Sequence, residues 1–200
     1  MNAIQTLPTP AFSTLRLTTA DNFLSLPDSG KGFELVDGQL KEWTVSAKSS
    51  RIGGRILSKI ELASESYGGW VFGSDATFRC YTDDPNRIRR ADVALIVFER
   101  FSADQYEREG HVTVCPDLVV EVISPNDLAF EVLHKVDEWR TAGVRVVWLI
   151  DPDDKRIYVH SESGITMLRE SDTLTGDPVI PGFAFPVAEL FRLPQLLPKP

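Results

Sequence analysis

Apolar residues recur along this chain at two periods, and the switches between them lay out the elements. Phe33-Glu34-Leu35-Val36 and residues 39–45 flank Asp37-Gly38. Asp-Gly between two alternating runs predicts a β-hairpin, because glycine tolerates the positive φ of a tight turn. Ile52, Ile56, Ile60 and Ala63, widened by Leu57, repeat at helical spacing and predict a helix over residues 49–66 that ends at Gly68-Gly69. Gly53-Gly54 weakens that helix, which implies close packing there. Strands are expected over 70–81, 91–98 and 117–123, with a turn-rich basic stretch from Asp83 to Arg90 between the first two. Ser102-Ala103-Asp104-Gln105 is a capping-box pattern that opens a short helix.

After Ser124-Pro125-Asn126-Asp127 a helix runs to about Ala142, with Asp127 as its N-cap and Gly143 as its C-cap. Its apolar stripe is Leu128, Val132, Val136 and Trp139, with Leu133 beside it. Residues 144–150 form a near-continuous apolar run, as in a central strand covered on both faces. Further strands are expected at 156–160 and 165–168, and a turn at Pro181-Gly182. No internal repeat and no second hydrophobic centre is visible. The layout is residues 1–30 as an arm with a short helix near Ala20, 31–192 as a single α/β domain, and 193–200 as a tail packed on the surface.

Composition narrows the class. At 42% hydrophobic and 25% charged over 200 residues, the chain is an ordinary globular one, large enough for a real core. No apolar run approaches the roughly 18–20 residues of a membrane span, and the N-terminus has no basic start followed by an apolar stretch, so a cytoplasmic protein is expected. Cys80 and Cys115 match no metal-ligand spacing and read as half-buried free thiols. The formal charge of −8, from 29 acids against 21 bases, argues against bulk electrostatic capture of nucleic acid but not against cutting it.

Two acids stand inside apolar strands: Asp92 in Ala-Asp-Val-Ala-Leu-Ile-Val, and Glu121 in Leu-Val-Val-Glu-Val-Ile. Alternation puts Asp92 on one face with Ala94 and Ile96, and Glu121 with Val119 and Ile123. A carboxylate so placed costs several kcal/mol unless it is paired. If the strands are neighbours, the two charges also repel, and a divalent cation relieves both problems. Lys135, at the edge of the following helix's stripe, has a stem long enough to carry its ammonium to the same cleft. Acid, acid, metal and lysine is equipment for phosphodiester hydrolysis.

The same residues carry a family resemblance over about 33–191. Phe33-Glu34-Leu35-Val36-Asp37-Gly38-Gln39-Leu40, Arg90-Ala91-Asp92-Val93, residues 116–127, Lys135, Ala142-Gly143-Val144, Val147-Trp148-Leu149-Ile150-Asp151-Pro152 and Pro181-Gly182-Phe183 resemble, in order and spacing, the Uma2 family. That resemblance implies a restriction-endonuclease-like fold of the PD-(D/E)XK type, a mixed sheet flanked by helices. It makes Asp92 and Glu121 the metal-binding acids, the Val122 carbonyl a further ligand, and Mg²⁺ or Mn²⁺ the cofactor. Ala91 replaces the motif's proline, and Ile123 stands where the E-x-K lysine would be, so the resemblance assigns the lysine to Lys135. It implies a DNA endonuclease acting as a homodimer.

Other residues admit two readings. Glu34 is either a third acid binding metal through water or a solvated hairpin residue. Ser124 meets a phosphate or serves the turn. Arg87, Arg89 and Arg90 contact DNA phosphates at the cleft mouth or form a solvated loop beside Asp83 and Asp84. His111, His134 and His160 lack zinc-site spacing, and no esterase, P-loop or dinucleotide motif occurs. Trp43, Trp70, Trp139 and Trp148 read as core. The rival functions are a catalytically silent binding module of the same fold, and a nuclease of RNA or branched DNA.

Overall fold

A computed structural model of the protein describes residues 17–193; the expected arm before residue 17 and the tail after residue 193 lie outside it. Its elements are, in order, α1 (Ala20–Phe23), β1 (Phe33–Val36), β2 (Gln39–Glu42), α2 (Ala47–Tyr67), β3 (Gly69–Gly73), β4 (Val93–Val97), α3 (Ala103–Tyr106), β5 (Leu118–Val122), α4 (Ala129–Thr141), β6 (Val146–Asp151), β7 (Arg156–Ser161), β8 (Gly164–Leu168), β9 (Thr173–Gly176), β10 (Ile180–Pro186) and α5 (Val187–Phe191). The fold is a mixed sheet flanked by helices, as expected. The central sheet has six strands in the order β3-β4-β5-β6-β7-β8. Only its β5–β6 pair is parallel, the pair bridged by the α4 crossover.

Strand alternation divides the core into two layers. Val93, Leu95, Leu118, Val120, Trp148 and Ile150 face Ile52, Ile56 and Ile60 of α2, together with β9, β10 and α5. Ala94, Ile96, Val119, Val147 and Leu149 face Val136 and Trp139 of α4 and the residues around Phe78. Glu121 belongs by alternation to this second face. A smaller cluster ties α1 to the hairpin through Phe23, Leu35 and Ile88. Cys115 is buried and Cys80 half-buried, both free. No helix among the described residues is long and apolar enough to cross a membrane.

The hairpin turns as the Asp37-Gly38 pair requires, with φ of 50° and 74° at its two central residues and Val36 opposite Gln39. Several boundaries differ from the sequence expectation. Helix α2 begins earlier, because Ser46 makes a capping box with Ser49. The strand expected over 70–81 stops at Gly73, and Phe78 beyond it makes only isolated bridges to Arg89 and Val112. Asp127 does not cap α4: Leu128 occupies that position, while the Asp127 carboxylate accepts the Ser124 N–H at 2.7 Å and closes the preceding turn. Leu128 and Leu133 are exposed, so the buried stripe of α4 narrows to Val132, Val136 and Trp139. Strands β9 and β10, which the reading of Pro181-Gly182 as a plain turn passes over, pair across a bulge between Ile180 and Ala184.

Candidate active site

The end of β5 and the start of β4 meet at the mouth of a cleft of about 170 Å³. Val93 pairs with Val120 at the last step of their antiparallel ladder, so one residue further Asp92 stands opposite Glu121. Strand β4 ends there, and the Asp92 carboxylate takes over its pairing role: Oδ2 accepts the Val122 N–H at 2.7 Å. The N–H and C=O of one strand residue point to the same side. The Val122 carbonyl is therefore directed toward Asp92, where no β4 backbone remains to receive it.

Glu121 is 7% exposed and held at both oxygens. Its Oε1 accepts the Trp139 indole N–H at 2.7 Å, and its Oε2 accepts from the Lys135 ammonium at 3.0 Å. Lys135 also reaches Glu34 Oε1 at 3.0 Å, so one ammonium bridges two buried acids. Lys135 and Trp139 are four residues apart on α4 and share its inward face, which lets one helix hold both oxygens of a single carboxylate.

Behind these lies a second rank of charge. Arg89 donates to Glu34 Oε2 at 2.8 Å and, through Nε, to Glu138 Oε2 at 2.7 Å. The Arg90 backbone N–H donates to Glu34 Oε1 at 2.9 Å. Glu34, Asp92, Glu121 and Glu138 share this cluster with Arg87, Arg89, Arg90 and Lys135, and burial is the largest influence on how Asp92 and Glu121 titrate. Burial, reinforced by Asp92 and Glu34, raises the Glu121 carboxyl to about 7 against the pull of Lys135. Burial likewise raises Asp92 to about 6. For Glu34 burial is overcome by Lys135 and Arg89, which hold it below the ordinary carboxylate range. Burial would lower Lys135, but Glu121 and Glu34 outweigh it and keep the ammonium charged. Both carboxyls therefore hold their protons to higher pH than ordinary carboxyls do.

Asp92, Glu121, Val122, Glu34 and Lys135 all line the one cleft. Other expected site residues take different roles. Glu34 faces the cleft with Oε1 near Lys135 and the Arg90 N–H and Oε2 on Arg89, which makes it a counter-ion of the lysine. Arg89 and Arg90 are buried, not solvated and not at the surface for phosphates: Arg90 donates to the carbonyls of Phe33, Asp75 and Gly30. Arg87 packs over the Tyr81 ring and pairs with Asp83 at 2.8 Å. The Ser124 hydroxyl is committed to Ser49 Oγ at 2.8 Å and to the Ser46 N–H at 3.3 Å, which ties the start of α2 to the end of β5. Trp43 is half-buried on the cleft wall and not core, and Trp70 is half-buried, stacked on Tyr106. Sequence reading missed Glu138 and the role of Trp139; their spacing from Lys135 on an inward helix face was the available signal.

Among the described residues, no group of three or more His, Cys, Asp and Glu side chains is arranged to hold a metal. The donor types nevertheless suit a hard divalent cation: the Asp92 and Glu121 carboxylates and Val122 line one cleft and offer oxygen donors only, with water to complete a shell. A transition-metal site built on histidine or thiolate does not fit.

The fold is similar to that of a protein from Anabaena variabilis whose crystal structure is described as that of a "putative nuclease belonging to DUF820". The two share 20% identity and a TM-score of 0.71, over 86% of this chain and 97% of the other. No curated protein matches the chain. The model of the Uma2 family, described as "Putative restriction endonuclease", matches residues 20–188. That span holds the hairpin, both acidic strands and α4, and the chain belongs to the Uma2 family.

Proposed function

We propose that the protein is a divalent-metal-dependent endonuclease that hydrolyses DNA phosphodiester bonds at the Asp92–Glu121–Lys135 cleft. The observation that carries this reading is a pair of carboxylates lining one cleft, Glu121 buried on β5 and Asp92 half-buried just before β4, both raised in pKa, with an ammonium 3.0 Å from Glu121. Asp92, Glu121 and the Val122 carbonyl would hold Mg²⁺ or Mn²⁺. The ion, when bound, supplies Lewis acidity to a phosphoryl oxygen and lowers the pKa of a water.

The chain's own residues do the rest. Trp139 fixes the plane of the Glu121 carboxylate by holding Oε1, while Oε2 faces the Lys135 ammonium. Glu34, itself locked by Arg89, keeps the Lys135 ammonium charged and aimed at the place where negative charge develops on the phosphate. Lys135, with Glu34 as its lasting counter-ion, would turn N–H donors to the substrate once Glu121 was shared with an ion. A homodimer would present one such cleft to each strand, as a double cut requires.

Nicking of supercoiled plasmid in Mg²⁺ and in Mn²⁺ tests the proposal. Asp92→Asn, Glu121→Gln and Lys135→Met are each expected to cut at least about 100-fold more slowly, in line with the loss of one electrostatic catalytic group. Wild-type nicking rates in Asp92→Asn or Glu121→Gln would remove the reading. Parallel assays on RNA and on a branched DNA junction separate the substrates that the same site would serve.

A further inference from the structure

With Arg89 and Arg90 turned inward, the phosphates beside a scissile bond need other cations. Helix α2 supplies them: from Ala47 to Ile60 it carries Lys48, Arg51, Arg55 and Lys59 and no acid, in a chain of formal charge −8. Spacings of three and four residues put all four on one flank of the helix. The adjoining face, about 100° round the helix and carrying Ile52, Ile56 and Ile60, packs on the sheet.

The two arginines converge. Arg51 Nη2 and Arg55 Nη1 donate to a single oxygen, the Arg192 carbonyl, at 2.9 and 2.6 Å, so two like charges are held side by side. Burial and repulsion from Arg51 and Arg192 depress the Arg55 guanidinium, with only Glu189 opposing them. Among the described residues neither Arg51 nor Arg55 has a carboxylate partner, and such a cluster is a place where an anion lowers the energy; the planar guanidinium matches phosphate oxygens.

The stripe also starts in the right place. Lys48 lies two residues beyond Ser46, whose N–H meets the Ser124 hydroxyl just past the strand that carries Glu121. Lys48, Arg51, Lys155 and Arg192 share a groove with Asp153, Glu170 and Glu189 at the end of β6, next to that of β5, and Lys155 is paired with Glu170 at 3.0 Å. Lys48 is paired with Asp153 at 2.6 Å, but both side chains are solvated, so a phosphate can replace that partner at small cost.

We infer that this flank of α2 — Lys48, Arg51, Arg55 and Lys59, with Arg192 — is the track that holds the phosphate backbone of the DNA leading away from the cleft. The inference rests on the nuclease reading above and assigns where its substrate lies. It also explains how an acidic protein meets DNA: the positive charge is concentrated on one helix face beside the site.

The test is fluorescence anisotropy of a labelled DNA duplex in EDTA, titrated over a range of KCl concentrations. Arg51→Gln/Arg55→Gln keeps donors for the Arg192 carbonyl while removing two charges. It should bind about tenfold more weakly and lower the slope of log affinity against log salt by about two, equally for unrelated duplex sequences. Lys59→Gln, at an exposed position, should lower the slope by about one. Arg108→Gln, exposed on another surface, should leave it unchanged. Slopes in the α2 variants equal to that of Arg108→Gln would overturn the inference, as would a wild-type protein that binds no duplex even at low salt. Mn²⁺ titration calorimetry separates the two proposals. The α2 variants should bind the ion as the wild type does, whereas failure of the wild type itself to bind Mn²⁺ would count against the nuclease reading alone.

Discussion

Replacing Glu121 with glutamine should make the metal-free protein more stable at pH 8 than the wild type, the reverse of the usual result for deleting a buried ion-pair partner. The Glu121 carboxyl rises from an ordinary 4.5 to about 7 in the fold. At about 1.4 kcal/mol per tenfold change in proton affinity, that rise amounts to an upper value of about 3 kcal/mol. The sign follows from proton counting. Between pH 4.5 and 7 the native protein holds a proton that the unfolded chain has released, so wild-type stability is full below the lower value and falls as pH climbs through the higher one. Glutamine carries no such proton; its one amide oxygen keeps either Trp139 or Lys135 as donor while its NH₂ faces the other, a cost that makes the figure an upper value. Urea unfolding in EDTA, followed by tryptophan fluorescence from pH 5 to pH 8, reads the difference. The two proteins should be nearly equal at pH 5 and diverge by up to about 3 kcal/mol at pH 8, with Glu121→Gln on top. Added Mn²⁺ should then raise the wild type and not the variant. Unfolding curves that stay parallel across the range, or a wild type that is the more stable at pH 8, would refute the reasoning.

Other perturbations probe the same charge balance. Lys135→Met leaves Glu34 and Glu121 facing each other without their shared cation, and should cost roughly 3–5 kcal/mol at pH 8 and clearly less at pH 5, where Glu121 is protonated; denaturant titration at the two pH values checks this. Arg89→Met strands Glu34 and Glu138, both buried, and should destabilise by a similar 3–5 kcal/mol, read as a lowered melting temperature. Gly54→Ala meets nothing within 4 Å in the middle of α2 and should stabilise by about 0.5–1 kcal/mol, visible as a raised melting temperature with nicking unchanged.

What the sequence made legible, and what it hid, divides along physical lines. Asp92 and Glu121 stood out because an acid in an apolar strand is anomalous whatever surrounds it. The hairpin was legible because Asp37-Gly38 is a local conformational demand, and β6 because a strand buried on both faces has no polar alternation. The fate of Arg89 was hidden. Its partners Glu34 and Glu138 lie 55 and 49 positions away, and a run of three arginines near two aspartates reads as a solvated loop until those acids are brought beneath it. The stripe on α2 was concealed for the opposite reason: its lysines and arginines look like any exposed helix face, and only the burial of Arg87, Arg89 and Arg90 makes them the available cations. Strand β10 escaped notice because Gly182, at a φ of 79°, serves a bulge within a strand rather than a turn between elements.

An anomalous-scattering map from a crystal soaked in Mn²⁺ bears most directly on the claim that Asp92 and Glu121 are a cation site. The account predicts one peak ligated by both carboxylates and the Val122 carbonyl, with the Lys135 nitrogen beside it. A map without that peak, in which Lys135 still bridges Glu34 and Glu121 at Mn²⁺ concentrations that occupy other sites, would contradict it.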